Sequence, residues 1–155
     1  LRPVYGDGLL YIATGRGNTG ELWAMRPDGS GDVTESHVVW KAQGGIVPLE
    51  PSPLLIDGLL YLVNNTGILT CLDAATGEKV WDKRVGGNCI ASPIYGDGNI
   101  YVSNTQGRTM ILKAGNSPEV VATNNLDDGC MASPAVCGKA LFLRTKTHLY
   151  RIENQ

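Results

Sequence analysis

Three features of the 155-residue sequence predict an all-β propeller of four-stranded antiparallel blades. The chain repeats at a period near 40 residues, each repeat is punctuated by tight-turn dipeptides, and no stretch shows helical periodicity. The repeat is anchored by four segments, Pro3–Tyr11, Pro53–Tyr61, Pro93–Tyr101 and Pro134–Phe142. Each places an aromatic residue eight positions after a proline, and three carry a preceding serine: Ser52-Pro53, Ser92-Pro93 and Ser133-Pro134.

The elements follow in order. Asp7-Gly8, Asp57-Gly58 and Asp97-Gly98 sit between apolar runs. Asp-Gly supplies the positive φ angles of a two-residue hairpin, so each repeat opens on a hairpin. A second turn falls at Asn64-Asn65-Thr66-Gly67 and at Asn104-Thr105-Gln106-Gly107, followed by a third strand over Ile68–Leu72. A third turn, Asp73–Gly77, leads to a fourth strand over Lys79–Lys83. Four short strands in about 40 residues is the signature of a propeller blade. The repeats run approximately over residues 1–48, 49–88, 89–129 and 130–155, and the last has no segment left for an outer strand.

Composition narrows the function. With 13 basic and 15 acidic residues and no basic run, the chain lacks the charge that phosphate neutralisation requires, which argues against nucleic acid as a partner. No apolar run approaches the ~20 residues of a membrane-spanning helix. The 20 glycines and 18% charged residues suit a turn-rich β protein rather than a helical bundle.

The stretch Cys71–Trp81 resembles the tryptophan-docking repeat of quinoprotein-type, PQQ-like propellers, Ala-x-Asp-x-x-Thr-Gly-x-x-x-Trp, with Cys71 in place of the leading Ala. The first repeat is similar in an expanded form, Ala24 to Gly31 and then Trp40 beyond a longer loop. The third departs: Ile111–Pro118 has neither the Asp nor the Thr-Gly, and Val120-Val121 stands where a tryptophan is expected. The resemblance implies that Trp40 and Trp81 join blade to blade, each indole lying over a glycine of the neighbouring blade. Asp73, Thr76 and Gly77 then form the docking turn. It also implies a ring of seven or eight blades. On that count the chain is expected to be the C-terminal half of a longer bacterial propeller, associating with a missing N-terminal half or with a second half-ring. The family further implies an exported or periplasmic location.

Chemistry-bearing residues are few. The four cysteines form no CxxC pair. Cys89 and Cys130 each lie four residues before a Ser-Pro proline, so a thiol pair or a shared soft-metal site at one rim is weighed against two small packed side chains. Cys71 is expected to be a buried filler and Cys137 a turn residue. His37 and His148 have no metal-binding context. The loop Gly15–Gly20 opens no helix, but Arg16 could contact a partner. Asp127-Asp128 is a small acidic turn at which calcium is weighed, although calcium usually takes more oxygen ligands, and Asn64-Asn65-Thr66 reads as a glycosylation sequon in a turn that favours those residues anyway. Dehydrogenases of the resembled family hold pyrroloquinoline quinone with calcium beside an adjacent Cys-Cys pair, which this sequence does not have. The expected role is therefore a non-catalytic scaffold without a cofactor, binding a protein or small ligand through loops and channel rim. The alternative is a segment of a quinone-dependent dehydrogenase.

Overall fold

A computed structural model of the chain describes residues 1–14 and 19–153. It is an all-β propeller arrangement of four sheets, each a blade. Blade one is β1 (Val4–Gly6), β2 (Leu9–Thr14), β3 (Glu21–Met25) and β4 (Val38–Gln43). Blade two is β5 (Leu54–Ile56), β6 (Leu59–Val63), β7 (Ile68–Asp73) and β8 (Lys79–Arg84). Blade three is β9 (Ile94–Gly96), β10 (Asn99–Ser103), β11 (Arg108–Lys113) and β12 (Val120–Asn125). Blade four has three strands, β13 (Ala135–Cys137), β14 (Ala140–Arg144) and β15 (Leu149–Ile152). Neighbouring strands pair antiparallel in sequence order.

The opening hairpins have the backbone that Asp-Gly provides. Asp7, Asp57 and Asp97 take φ of 53, 47 and 49°, and Gly8, Gly58 and Gly98 follow at 78, 76 and 75°. Positive φ at both central residues is the type I′ turn, whose twist matches that of the flanking strands. The fourth hairpin replaces Asp-Gly with Gly138-Lys139 and needs only Gly138 at positive φ, 60°. The long loop of the first repeat holds a single helical turn, α1 (Thr34–His37), which the strand pattern does not suggest. The Asp32 carboxylate accepts the Thr34 N–H at its start.

The core lies between blades. One cluster joins Tyr11, Leu22 and Ala24 of blade one to Leu60, Leu62 and Leu72 of blade two. A second joins Tyr61, Val63, Leu69, Cys71 and Trp81 of blade two to Ile100, Val102, Met110 and Leu112 of blade three. Strand β6 therefore faces a neighbour on both sides, and its sequence is an unbroken apolar run, Leu-Leu-Tyr-Leu-Val. A strand with one wet face would alternate instead.

The innermost strands converge, with β1 touching β5. Just before them runs a hydrogen-bond relay. The Arg2 N–H donates to Ser52 Oγ, the Ser52 N–H to Ser92 Oγ and the Ser92 N–H to Ser133 Oγ, each at 2.9 Å. The repeated Ser-Pro is thus a stitch from each blade to the next.

Candidate functional site: the blade seams and the linker face

Each seam is built from one face of three adjacent strands. In blade one, Tyr11 pairs with Ala24 and Ala24 with Trp40. In blade two the same register gives Tyr61, Cys71 and Trp81. A register shift just beyond Ala24 and Cys71 precedes each tryptophan pair. The Trp40 indole N–H donates to the Ala74 carbonyl at 2.9 Å, and the Tyr11 hydroxyl donates to the same oxygen at 3.1 Å. Trp40 lies against Gly77, where a Cβ would stand 2.6 Å from Cδ2 of the indole. The Asp73 carboxylate holds that turn by accepting the Ala75 N–H, the Thr76 N–H and the Thr76 hydroxyl. At the next seam the Trp81 indole N–H donates to the Gly115 carbonyl at 3.0 Å, and the Gly115 N–H donates to the Tyr61 hydroxyl at 2.9 Å. Burial pushes the Tyr61 phenol up to about 12.

In blade three the register places Tyr101 opposite Ile111 and Ile111 opposite Ala122. Ala122, not Val120-Val121, occupies the tryptophan position. The reason is turn length. In blade two the turn closes with Asp73 N–H to Glu78 carbonyl, and in blade three with Lys113 N–H to Glu119 carbonyl, one residue longer. The offset moves the following residues by one and leaves Val121 as the unpaired residue at the register shift, between the partners of Ile111 and Leu112. An open groove of about 880 Å³ lies along this third seam.

The opposite end of each blade carries the second turns and the linkers between blades. The Asn64 amide donates to the Gly45 carbonyl, and its oxygen accepts the Thr66 and Ile68 N–H groups. Asn104 repeats this with the Gly86 carbonyl and the Gln106 and Arg108 N–H groups. The amide nitrogen of the Asn64 sequon is thus committed to a linker carbonyl. Asp128 takes the same structural part at blade four, accepting the Gly129 and Thr147 N–H groups and the Thr147 hydroxyl, and these bonds hold its carboxyl below the usual range. Ile90 and Met131 sit at the same point of successive linkers, three residues before Pro93 and Pro134; in the first linker that point is Glu50, and the apolar Leu49 lies one residue earlier. Leu49 is 38% exposed and Met131 57%, with Ile90 partly buried between them. Sequence inspection did not single out these linker residues.

The other candidate residues are dispersed. Cys71, Cys89 and Cys130 are free and buried, and Cys137 is free and exposed. Cys89 sits in the core of the second seam, while the Cys130 thiol donates to the Ala132 and Arg144 carbonyls; the two are not bonded to each other. Desolvation pushes the Cys71 and Cys89 thiols up to about 11, so both are protonated at neutral pH. His37 faces Asp28 at 3.5 Å and the Ser36 hydroxyl, and His148 packs on Tyr150. Trp23 lies under the Lys41 ammonium and donates to Glu21. Arg16 lies outside the described residues. Among the described residues no group of three or more His, Cys, Asp or Glu side chains converges to hold a metal ion. None of the helices in those residues is long and apolar enough to cross a membrane.

Repeated four-stranded blades stitched by docking tryptophans define a PQQ-like repeat propeller. The profile of the family described as outer membrane protein assembly factor BamB matches residues 1–83, more than half of the chain, and the chain belongs to that family. The assembly factor of that name from Legionella pneumophila is 23% identical over 144 residues, covering 92% of this chain and 34% of the relative. The dehydrogenase subunit of the quinone alcohol dehydrogenase from Gluconacetobacter polyoxogenes is 32% identical over 88 residues, covering 50% of this chain and 12% of the relative. The chain thus spans about a third of the first relative and a smaller part of the second. Among solved structures, BamB from Moraxella catarrhalis superposes with a TM-score of 0.75 at 20% identity, covering 94% of this chain and 43% of that one. A quinohemoprotein alcohol dehydrogenase from Pseudomonas putida HK5 superposes at 0.72 with 13% identity, covering 91% and 27%.

Proposed function

We propose that the chain is a non-catalytic propeller scaffold that holds a protein partner on its linker face and channel rim, acting as an exported, periplasmic component of outer-membrane protein assembly. The observation that carries this reading is the set of apolar linker residues Leu49, Ile90 and Met131. Each of the three linkers between blades carries one of these apolar side chains, and Leu49 and Met131 are exposed. Exposed apolar side chains on a rigid repeat surface are what a protein contact uses. The polar side chains around it are already engaged. Asn64, Asn104 and Asp128 hold turns and linkers together, and Ser52, Ser92 and Ser133 form the stitch. Family membership supports the same assignment.

Part of a quinone-dependent dehydrogenase is the second reading, favoured by the 32% identity to an alcohol dehydrogenase subunit. The described residues do not fit its prosthetic site: there is no adjacent cysteine pair, and no carboxylate cluster that would hold calcium. No catalytic step is derived through that group.

The test is complementation. A bacterium depleted of its own assembly factor is supplied with the full-length protein, or with the same protein carrying Leu49→Asp and Met131→Asp. The proposal expects wild type to restore the level of outer-membrane β-barrel proteins and the double variant to fall short while remaining folded. Equal restoration by both, or by neither, sinks it. The dehydrogenase reading is checked separately, by adding pyrroloquinoline quinone with calcium. At a hundred times a dissociation constant, bound ligand adds about 2.7 kcal/mol of stability.

A further inference from the structure

We propose that the linker end of the second seam is a carboxylate-binding site, centred on Arg108, for an acidic side chain of a partner polypeptide. The proposal rests on the partner face described above and adds the chemistry of one contact on it. Strand register places two cations there. Lys83 pairs with Leu69, which lies in the core between blades two and three. Arg108 stands two residues before Met110, which enters the same core from the other side. Alternate residues of a strand share a face, so Lys83 and Arg108 stand on the two walls of one seam. Both blades have all four strands, so both walls are present. At the first seam the matching positions are Ala42 and Ile68, which carry no charge.

The guanidinium is held in place but not satisfied. Nη1 of Arg108 lies beside the linker that joins the two blades, 3.4 Å from where a Cβ on Gly86 would stand. Nε is buried and has no hydrogen-bond partner. Among the described residues, the side chains of Arg108 and Lys83 enter no ion pair and no hydrogen bond. The acid next to Lys83, Asp82, is engaged with Lys79. A buried donor left unpaired costs free energy, and two like charges on one seam repel. A carboxylate answers both. Arg108 is partly exposed, so its terminal nitrogens are open to an incoming group. Its planar fork matches a carboxylate through two parallel N–H···O bonds, and the Lys83 ammonium adds a second positive charge. Ile90 lies in the same linker as Gly86 and supplies apolar surface. The fitting ligand is therefore an aspartate or glutamate with apolar neighbours in a peptide.

The experiment titrates the full-length protein with the peptide acetyl-Ala-Leu-Glu-Leu-Ala-amide and follows backbone amide chemical shifts. Saturable shifts are expected at Gly86, Asn88 and Arg108. The same peptide with glutamine for glutamate should bind at least about tenfold more weakly, since it brings no charge. Arg108→Gln should weaken the glutamate peptide by at least about tenfold. Arg108→Lys keeps the charge without the fork, and should weaken it in the same direction if the first variant does not fold. Lys139→Gln removes an exposed cation from the inner hairpin of blade four and should leave the titration unchanged. Absence of saturable shifts up to about 10 mM overturns the proposal, because a weaker site holds no side chain usefully. So does equal binding by the glutamine peptide, full binding by a folded Arg108 variant, or an equal loss in Lys139→Gln. Tighter binding of inorganic phosphate than of the glutamate peptide would make this a phosphate site and overturn the carboxylate assignment. The titration involves no outer-membrane assembly, so failure of this site and failure of the linker-face reading appear in different experiments.

Discussion

Gly77→Ala tests whether the docked indole is what demands glycine. Gly77 sits at φ +75°, where a Cβ costs about 1–2 kcal/mol from local sterics alone. That Cβ would also stand 2.6 Å from Trp40 Cδ2, against an optimum of about 3.5–4.0 Å between carbons. The indole must withdraw by about an ångström, weakening its N–H bond to Ala74 and its contact with Tyr11. Overpacking of this kind costs about 1–3 kcal/mol, so Gly77→Ala alone should cost about 2–5 kcal/mol. In a Trp40→Ala background the collision partner is gone and only the backbone cost of about 1–2 kcal/mol remains. Urea unfolding of wild type, both single variants and the double variant therefore gives a coupling of about 1–3 kcal/mol. Additivity to within about 0.5 kcal/mol would show that the glycine answers to the turn and not to the tryptophan, refuting the reasoning.

Three further outcomes follow from other parts of the molecule. Ser92→Ala strips the acceptor from the Ser52 N–H while leaving its own backbone donor in place, so it should lower stability by about 1 kcal/mol in thermal unfolding. A thiol reagent at neutral pH should label only Cys137 in the native state and all four cysteines in denaturant. Rapid native labelling of Cys89 would contradict its burial in the second seam. Asp128 has a lowered folded pKa, so the stability it adds is present above the ordinary carboxylate range and is lost as pH falls through the folded value. The stability gap between wild type and Asp128→Ala should be full at pH 7 and shrink below about pH 4, and a gap independent of pH would show the carboxylate to be uninvolved.

The sequence disclosed most readily what the backbone demands. Asp7-Gly8, Asp57-Gly58 and Asp97-Gly98 had to be hairpins because few dipeptides tolerate two successive positive φ angles. Cys71–Trp81 was legible for a similar reason, since an indole lying on a peptide tolerates no Cβ beneath it. What counting could not supply was register. One extra residue in the turn between Lys113 and Glu119 changes which side chain faces the seam, and apolar Val120 and Val121 look like better occupants than Ala122. Only the pairing of β11 with β12 identifies the small residue as the successor of Trp40 and Trp81. The candidate sites were hidden by the same logic. Leu49 and Met131 are unremarkable apolar residues in the sequence, and their exposure emerges only once the linkers are placed against the blades. In a repeat protein the conforming units reveal the architecture, so specificity must lie where a unit breaks the pattern. Blade three breaks it through one extra residue in a turn, which puts Ala122 in the register position of Trp40 and Trp81.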